Sequence, residues 1–347
     1  MENQGLPGKR AALFRNRNDR ENIMAIKWNF HTHTTFCDGR STAEEMVQRA
    51  LELGFDRLGF SGHCYTWFDP EFHMDTEAYF AELHRLQEAY QGRIEIFCGL
   101  EGETLGHGEG YEKAEYIIGS THYLKTGEEY LSFDNTEEEL TRMCREYFGG
   151  DYYRLCRAYF ETTAKTIDSI RENLKRQQES SLTFPKNVTS PKNAGKGAAA
   201  DAEGPGNGVT EKRSAPLMFV GHFDLVTRFN DAMHFVDEED PRYLGPAMEA
   251  MEYLVGEGVP FEINLGALNR GRKKYAYPAP TLLRKLHELG GEILISSDAH
   301  HRDLLDGGFA EGIAAAEAAG FDHALVMRRN ADGSVEWEEA APGLDSP

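Results

Sequence analysis

The chain has 347 residues, 40% of them hydrophobic and 11% aromatic, enough for a large core and too many for a disordered chain. Its 58 acidic side chains outnumber 37 basic ones, and the formal charge of -21 argues against broad electrostatic binding to nucleic acid or an anionic membrane. Five cysteines without a C-x-x-C pair exclude a zinc ribbon or disulfide scaffold and fit a reducing cytoplasm.

Residues 1–23 carry Lys9, Arg10, Arg15, Arg17 and Arg20 but no apolar stretch, so they are expected to form a flexible extension rather than a signal peptide. No apolar run reaches the roughly 18 residues of a membrane span. From residue 24 onward, short apolar runs alternate with helical patterns. The runs cover 25–32, 57–63, 94–101, 116–122, 217–224, 259–265 and 292–298. Most are continuously apolar rather than alternating, as in strands buried on both faces of a parallel sheet. Ser41-Thr42-Ala43-Glu44 reads as a capping box ahead of a first helix, and helical spacing recurs over 136–148, 151–175, 246–255, 280–289 and 309–319. Seven strands alternating with helices predict a barrel-like α/β fold, with an open doubly wound sheet as the alternative; no Gly-rich phosphate fingerprint follows the first strand.

One segment departs from this pattern. Residues 177–216, rich in Gly, Ala, Pro, Ser, Asn and Lys, bury too little apolar surface to offset their ordering entropy and are read as a disordered insertion. The expected organisation is an extension over 1–23, one barrel domain over 24–330 interrupted by that insertion, and a tail over 331–347.

The chemistry lies in how the strands end. The first ends in His31-Thr32-His33, followed by Asp38; the second in Gly62-His63; the third in Gly99-Leu100-Glu101; the fourth in Ser120-Thr121-His122. The fifth carries Gly221-His222, and the seventh Ser297-Asp298-Ala299-His300. Since the C-terminal ends of parallel barrel strands converge on one rim, six histidines and three carboxylates would share a small volume. Without cations the carboxylates would repel one another, so a bound divalent metal is expected, and imidazole with carboxylate suits zinc, manganese or iron. Cys37 and Cys64 adjoin these positions out of phase and are left out. His73, His84, His107, His234, His287 and His323 are read as ordinary structural histidines. His301, next to His300, faces the other way in an extended segment.

H-x-H, Asp, His, G-L-E, S-T-H, G-H and S-D-A-H, in this order, resemble the polymerase-and-histidinol-phosphatase (PHP) superfamily of metal phosphoesterases over residues 28–326. Four stretches look like its histidinol-phosphatase branch: GSTHYLKTGEEYLSFDN, YFGGDYYRLCRAY, GHFDLVTRFN and EINLGALNRGRKKYAYP. The resemblance implies a distorted (β/α)7 barrel with three divalent metal ions at the C-terminal rim. Carried over position by position, His31, His33, Glu101 and Asp298 would hold one ion. Glu101, His122 and His222 would hold a second, and Asp38, His63 and His300 a third. Glu103, two residues beyond Glu101, is expected beside the ligands rather than among them. Glu101, Asp298 and His222 are the expected catalytic residues.

The implied activity is hydrolysis of a small phosphomonoester, L-histidinol phosphate in histidine biosynthesis, by a metal-bridging hydroxide. Three ions against three carboxylates leave an excess of about +3 to hold a phosphate dianion within an acidic protein. Arg270, after the sixth strand, is the expected phosphate chelator, with Arg228 a second candidate. Asp69 and Glu71 are placed to meet an amine. A phosphoesterase acting on another small phosphate or a nucleotide, and a metal-stabilised binding module without turnover, are the rival readings.

Overall fold

A computed structural model describes residues 26–69, 74–183 and 215–340. The proposed extension over 1–23 lies outside them, as does most of the proposed insertion. The chain opens with β1 (Trp28–Asn29), α1 (Ala43–Glu52), β2 (Arg57–Phe60), α2 (Thr76–Ala89), β3 (Glu95–Glu103) and β4 (Tyr116–Ser120). A hairpin of β5 (Tyr123–Thr126) and β6 (Glu129–Ser132) follows, then α3 (Glu137–Phe148), α4 (Tyr152–Thr163) and α5 (Thr166–Thr183). The second half runs through β7 (Leu217–Val220), α6 (Asn230–Met233), α7 (Pro241–Gly256), β8 (Phe261–Asn264), α8 (Gly266–Asn269) and α9 (Pro280–Glu288). It finishes with β9 (Ile293–Ser296), α10 (Phe309–Ala319), β10 (Ala324–Arg329) and β11 (Val335–Ala340).

The seven strands that correspond to the seven apolar runs form one parallel sheet in the order β1-β2-β3-β4-β7-β8-β9. Its two edges meet beyond the strand ends: Thr32 bridges Ala299, with His33 N donating to Ala299 O at 2.9 Å and Ala299 N to His31 O at 3.2 Å. The result is a nearly closed, distorted (β/α)7 barrel rather than an open doubly wound sheet. Its strands are buried on both faces, which is why the runs lack alternation. Phe30, Phe97, Tyr116, Ile118, Phe219 and Leu294 fill the interior.

Several boundaries differ from expectation. The helix α1 is capped one residue later than read: Thr42 accepts from Glu45 N, and the Glu45 carboxylate answers Thr42 N at 2.8 Å. Ser41 instead accepts from Arg302 N. The helix expected over 151–175 breaks at Ala164, and α5 continues to Thr183, so the first residues of the proposed insertion are helical. Helix α7 starts at Pro241, where Asp240 caps Arg242 N at 2.8 Å, and it runs through Pro246. Of the proposed tail, residues 335–340 are β11, antiparallel to β10. Val326 and Met327 of β10 close the interior cluster, with Trp337 packed against it. Arg57 binds Glu338 at 3.2 Å and Arg329 binds Glu115 at 3.1 Å, which fixes the hairpin at the N-terminal mouth of the barrel. The opposite mouth is left for the polar strand ends.

Candidate metal centre

All nine residues singled out at strand ends lie together at the C-terminal rim. His31 and His33 directly follow β1, and a tight turn then returns Asp38 to them. Gly39 N donates to Thr34 O at 3.0 Å there, and a Cβ on Gly39 would sit 2.5 Å from Thr34 N, so only glycine fits the turn. His63 follows β2 and bridges Glu101, which lies within β3. His122 follows β4, His222 follows β7, and Asp298 and His300 follow β9. His222 and Asp298 adopt positive φ, 21° and 49°, a strained conformation for residues with side chains that tends to cluster at functional sites.

The donor atoms face one another at characteristic spacings. His31 Nε2 is 3.3 Å from Glu101 Oε2 and 3.7 Å from Asp298 Oδ1. His33 Nε2 is 3.4 Å and 3.5 Å from the same two atoms. Both of these imidazole nitrogens are buried and make no hydrogen bond. Four donors held about 2.0–2.2 Å from one tetrahedral ion would be roughly 3.3–3.6 Å apart, longer than a good hydrogen bond, so the four atoms fit a divalent cation. Glu101 also turns Oε1 to His222 Nε2 at 2.8 Å and to His122 Nε2 at 3.3 Å. Asp38 meets His300 Nε2 at 2.9 Å and His63 Nε2 at 3.6 Å. The His63 ring spans two groups, since its Nδ1 lies 3.1 Å from Glu101 Oε2.

The electrostatics show the same demand for positive charge. Burial alone would lower the His31 pKa, but Glu262, Glu101 and Asp298 overcome it and raise it to about 10. His33 and His122 are raised against burial as well, His33 by Asp298 and Asp38, His122 by Glu101 and Glu103. Burial prevails at His63, which falls to about 4 despite Glu101 and Asp38. Glu101 and Asp298 sit well below the usual carboxylate range although burial opposes it, Glu101 through His63 and His31, Asp298 through Arg270 and His31. The carboxylates here remain ionised.

Two further carboxylates stand behind the donors. Glu103 accepts from His122 Nδ1 at 3.1 Å and from its backbone N at 2.9 Å, which puts it beside the cluster as expected. Glu262 of β8 is a residue that the strand-end pattern misses. It is fully buried, with Oε1 2.7 Å from His31 Nδ1 and Oε2 accepting from His222 N at 3.1 Å and Asn264 Nδ2 at 2.9 Å. A carboxylate inside the apolar run FEIN is the signal that could have found it, because such a group needs buried donors. Asp224, close to His222, points away and accepts from Ala279 N at 3.0 Å. Cys37 Sγ lies 3.5 Å from His33 Nδ1 and donates to Thr34 O at 3.5 Å, and Cys64 is buried near Tyr111.

A cavity of about 270 Å³ opens above the cluster, lined by all of the nine residues except His31, together with Asp69, Tyr123, Asp134, Arg228 and Arg270. Both arginines singled out in the sequence therefore reach it. Arg270 donates to Asp298 Oδ2 at 3.2 Å and to Asp298 O at 3.1 Å; Arg228 donates to Asp134 Oδ2 at 3.1 Å. Asp69 accepts from the Tyr123 hydroxyl, while Glu71 and His73 lie outside the described residues. The other histidines stand apart from the cluster: His287 packs on Phe321, His323 pairs with Asp322 and Glu292, and His301 caps a short turn through Asp303 N.

Known proteins resemble this chain along much of its length. Residues 29–180 match the model of the PHP domain. Over that stretch the chain is similar to the PHP domain family. It is 27% identical over 296 residues to a protein of Deinococcus radiodurans named probable histidinol-phosphatase, covering 82% of this chain and 90% of that one. A Schizosaccharomyces pombe protein with the same name is 23% identical over 295 residues, covering 78% of this chain and 79% of that one. The fold is also shared with histidinol phosphate phosphatase from Lactococcus lactis, solved with zinc, L-histidinol and phosphate. That structure superposes with a TM-score of 0.54 at 18% identity, over 86% of this chain and 96% of the other. Among the described residues no helix is long and apolar enough to cross a membrane.

Proposed function

We propose that this chain is a divalent-metal-dependent phosphomonoesterase that releases phosphate from L-histidinol phosphate in histidine biosynthesis, in the cytoplasm. The observation that carries the reading is the spacing of His31 Nε2, His33 Nε2, Glu101 Oε2 and Asp298 Oδ1, with two orphaned imidazole nitrogens aimed at one point. The relatives named for histidinol phosphatase support the choice of substrate.

His31, His33, Glu101 and Asp298 would hold one ion, His122 and His222 a second shared with Glu101, and Asp38, His63 and His300 a third. Zinc, manganese and iron all suit these donors. Bound there, such ions supply a hydroxide at neutral pH and stabilise charge on the phosphoryl oxygens. The chain's own residues do the rest. Glu101 presents one oxygen to each of two donor groups and so fixes their separation. Arg270 and Arg228 reach the cavity from two different loops and offer guanidinium donors to the phosphate. Asp69 and Asp134 line the cavity and favour a leaving group that carries a cationic amine.

The test is phosphate release by purified protein from L-histidinol phosphate, compared with a nucleoside monophosphate and an aryl phosphate, before and after chelation and metal add-back. A chelator-sensitive preference for L-histidinol phosphate is expected. Hydrolysis of only the other esters would discard the substrate and keep the site. Bound metal without hydrolysis of any ester would leave a binding module.

A further inference from the structure

The two cavity arginines are carried by loops that a single buried ammonium ties together. Arg228 ends the turn after β7, next to Thr227, and Arg270 ends α8 after β8. Lys273, three residues beyond Arg270, turns away from the cavity with a fully buried side chain. Its Nζ donates to Thr227 Oγ1 at 3.0 Å, Thr227 O at 3.3 Å, Glu238 Oε1 at 3.2 Å and Tyr275 OH at 3.4 Å. Glu238 closes the set by accepting from Tyr275 OH at 2.7 Å and from Asn230 Nδ2 at 2.8 Å. Thus one ammonium grips the residue beside Arg228 while lying on the segment that carries Arg270.

We propose that Lys273 is a positioning residue that sets the separation of Arg228 and Arg270, and with it the fit of the phosphate group between them. This rests on the reading of those arginines as the phosphate donors. An ammonium suits the task because its three protons engage acceptors on both loops at once, whereas an apolar side chain of equal volume would fill the space without fixing the loops. Misplacing guanidinium donors by a fraction of an ångström weakens a phosphate contact and leaves the metal donors where they are.

The measurement is binding of inorganic phosphate to metal-loaded protein, alongside kcat and KM for the phosphomonoester and the metal content of each variant. Lys273→Met is expected to weaken phosphate binding and raise KM about tenfold, with metal content unchanged and kcat altered less than about threefold. Tyr275→Phe removes one partner from the same ammonium and should act in the same direction, about threefold. Combining Lys273→Met with Arg228→Ala should cost little more than Arg228→Ala alone, because both changes remove the same contact. Wild-type phosphate affinity in a folded Lys273→Met protein overturns the proposal; if that variant does not fold, wild-type affinity in Tyr275→Phe does so. Arg228→Ala and Arg270→Ala separate the two levels. If neither weakens phosphate binding, the reading of the arginines fails; if they do and Lys273→Met does not, only the strut fails.

Discussion

Glu262 Oε1 lies 2.7 Å from His31 Nδ1, and both side chains are buried. That pairing favours a proton on Nδ1, which leaves Nε2, facing Glu101 and Asp298, as the ligand atom once a cation takes the place of its proton. The other oxygen of Glu262 accepts from the backbone of His222. One carboxylate therefore orients donors that belong to two different proposed ions.

Glu262→Gln tests that role. The amide keeps the shape but can present its NH2 to His31 Nδ1, which weakens control of the tautomer. Zinc or manganese affinity, measured by competition with a chelating dye, should fall about 10–100-fold with the fold intact. Unchanged affinity would reduce Glu262 to a packing residue.

His222 and His287 separate donors from bystanders. His222 Nε2 is 2.8 Å from Glu101, whereas His287 lies on α9 with its ring 5.0 Å from that of Phe321. His222→Ala should lower phosphate release by at least about a hundredfold and reduce metal content. His287→Ala should leave both near wild type. Similar losses in the two variants would contradict the donor assignment.

Metal removal should show in stability as well as in rate. Glu101, Asp298 and Asp38 crowd one rim, and cations that bind the folded state alone stabilise it by mass action, about 2.7 kcal/mol at a hundredfold excess over Kd. Dialysis against a chelator should lower Tm by several degrees and abolish hydrolysis, with zinc or manganese restoring both. A Tm that ignores verified metal removal would show that bound ions do not stabilise the folded protein.

The donors were legible in the sequence because each follows an apolar run, and parallel strands deliver their C-terminal ends to one rim. The pattern could say which residues meet, and the barrel brings all nine together. It could not show how they are held. Glu262 reaches His31 across 231 positions of sequence from within an apolar strand, and Lys273 reads as one of four basic residues in Arg270-Gly271-Arg272-Lys273-Lys274. Whether such a charge is solvated or buried depends on its tertiary partners alone. Hairpins hid for a related reason. In β11, Val335-Glu336-Trp337-Glu338 has one apolar face and one charged face, and its value lies in closing the barrel mouth, which no local pattern reveals. Strand β1 is only two residues long because the chain leaves the ladder early to present His31 and His33.

Gly266 sits where the arginine loop passes the proposed metal donors, beside Asp298 and Arg270. A Cβ there would lie 2.3 Å from Asp298 Oδ2 and 2.7 Å from Arg270 Nη2. Both groups are held in place, Asp298 by a positive φ and Arg270 by its bonds to Asp298, so neither yields cheaply. Alanine suits the helical start of α8, which leaves the collision as the whole effect. Gly266→Ala should therefore fold, yet release phosphate at least about tenfold more slowly and bind metal less tightly, because Asp298 must move. Gly245→Ala in α7, with nothing within 4 Å of the added carbon, provides the control and should match or slightly exceed wild-type stability. Wild-type rate and metal affinity in Gly266→Ala would show that Asp298 tolerates displacement and would remove it from the donors that set the reaction.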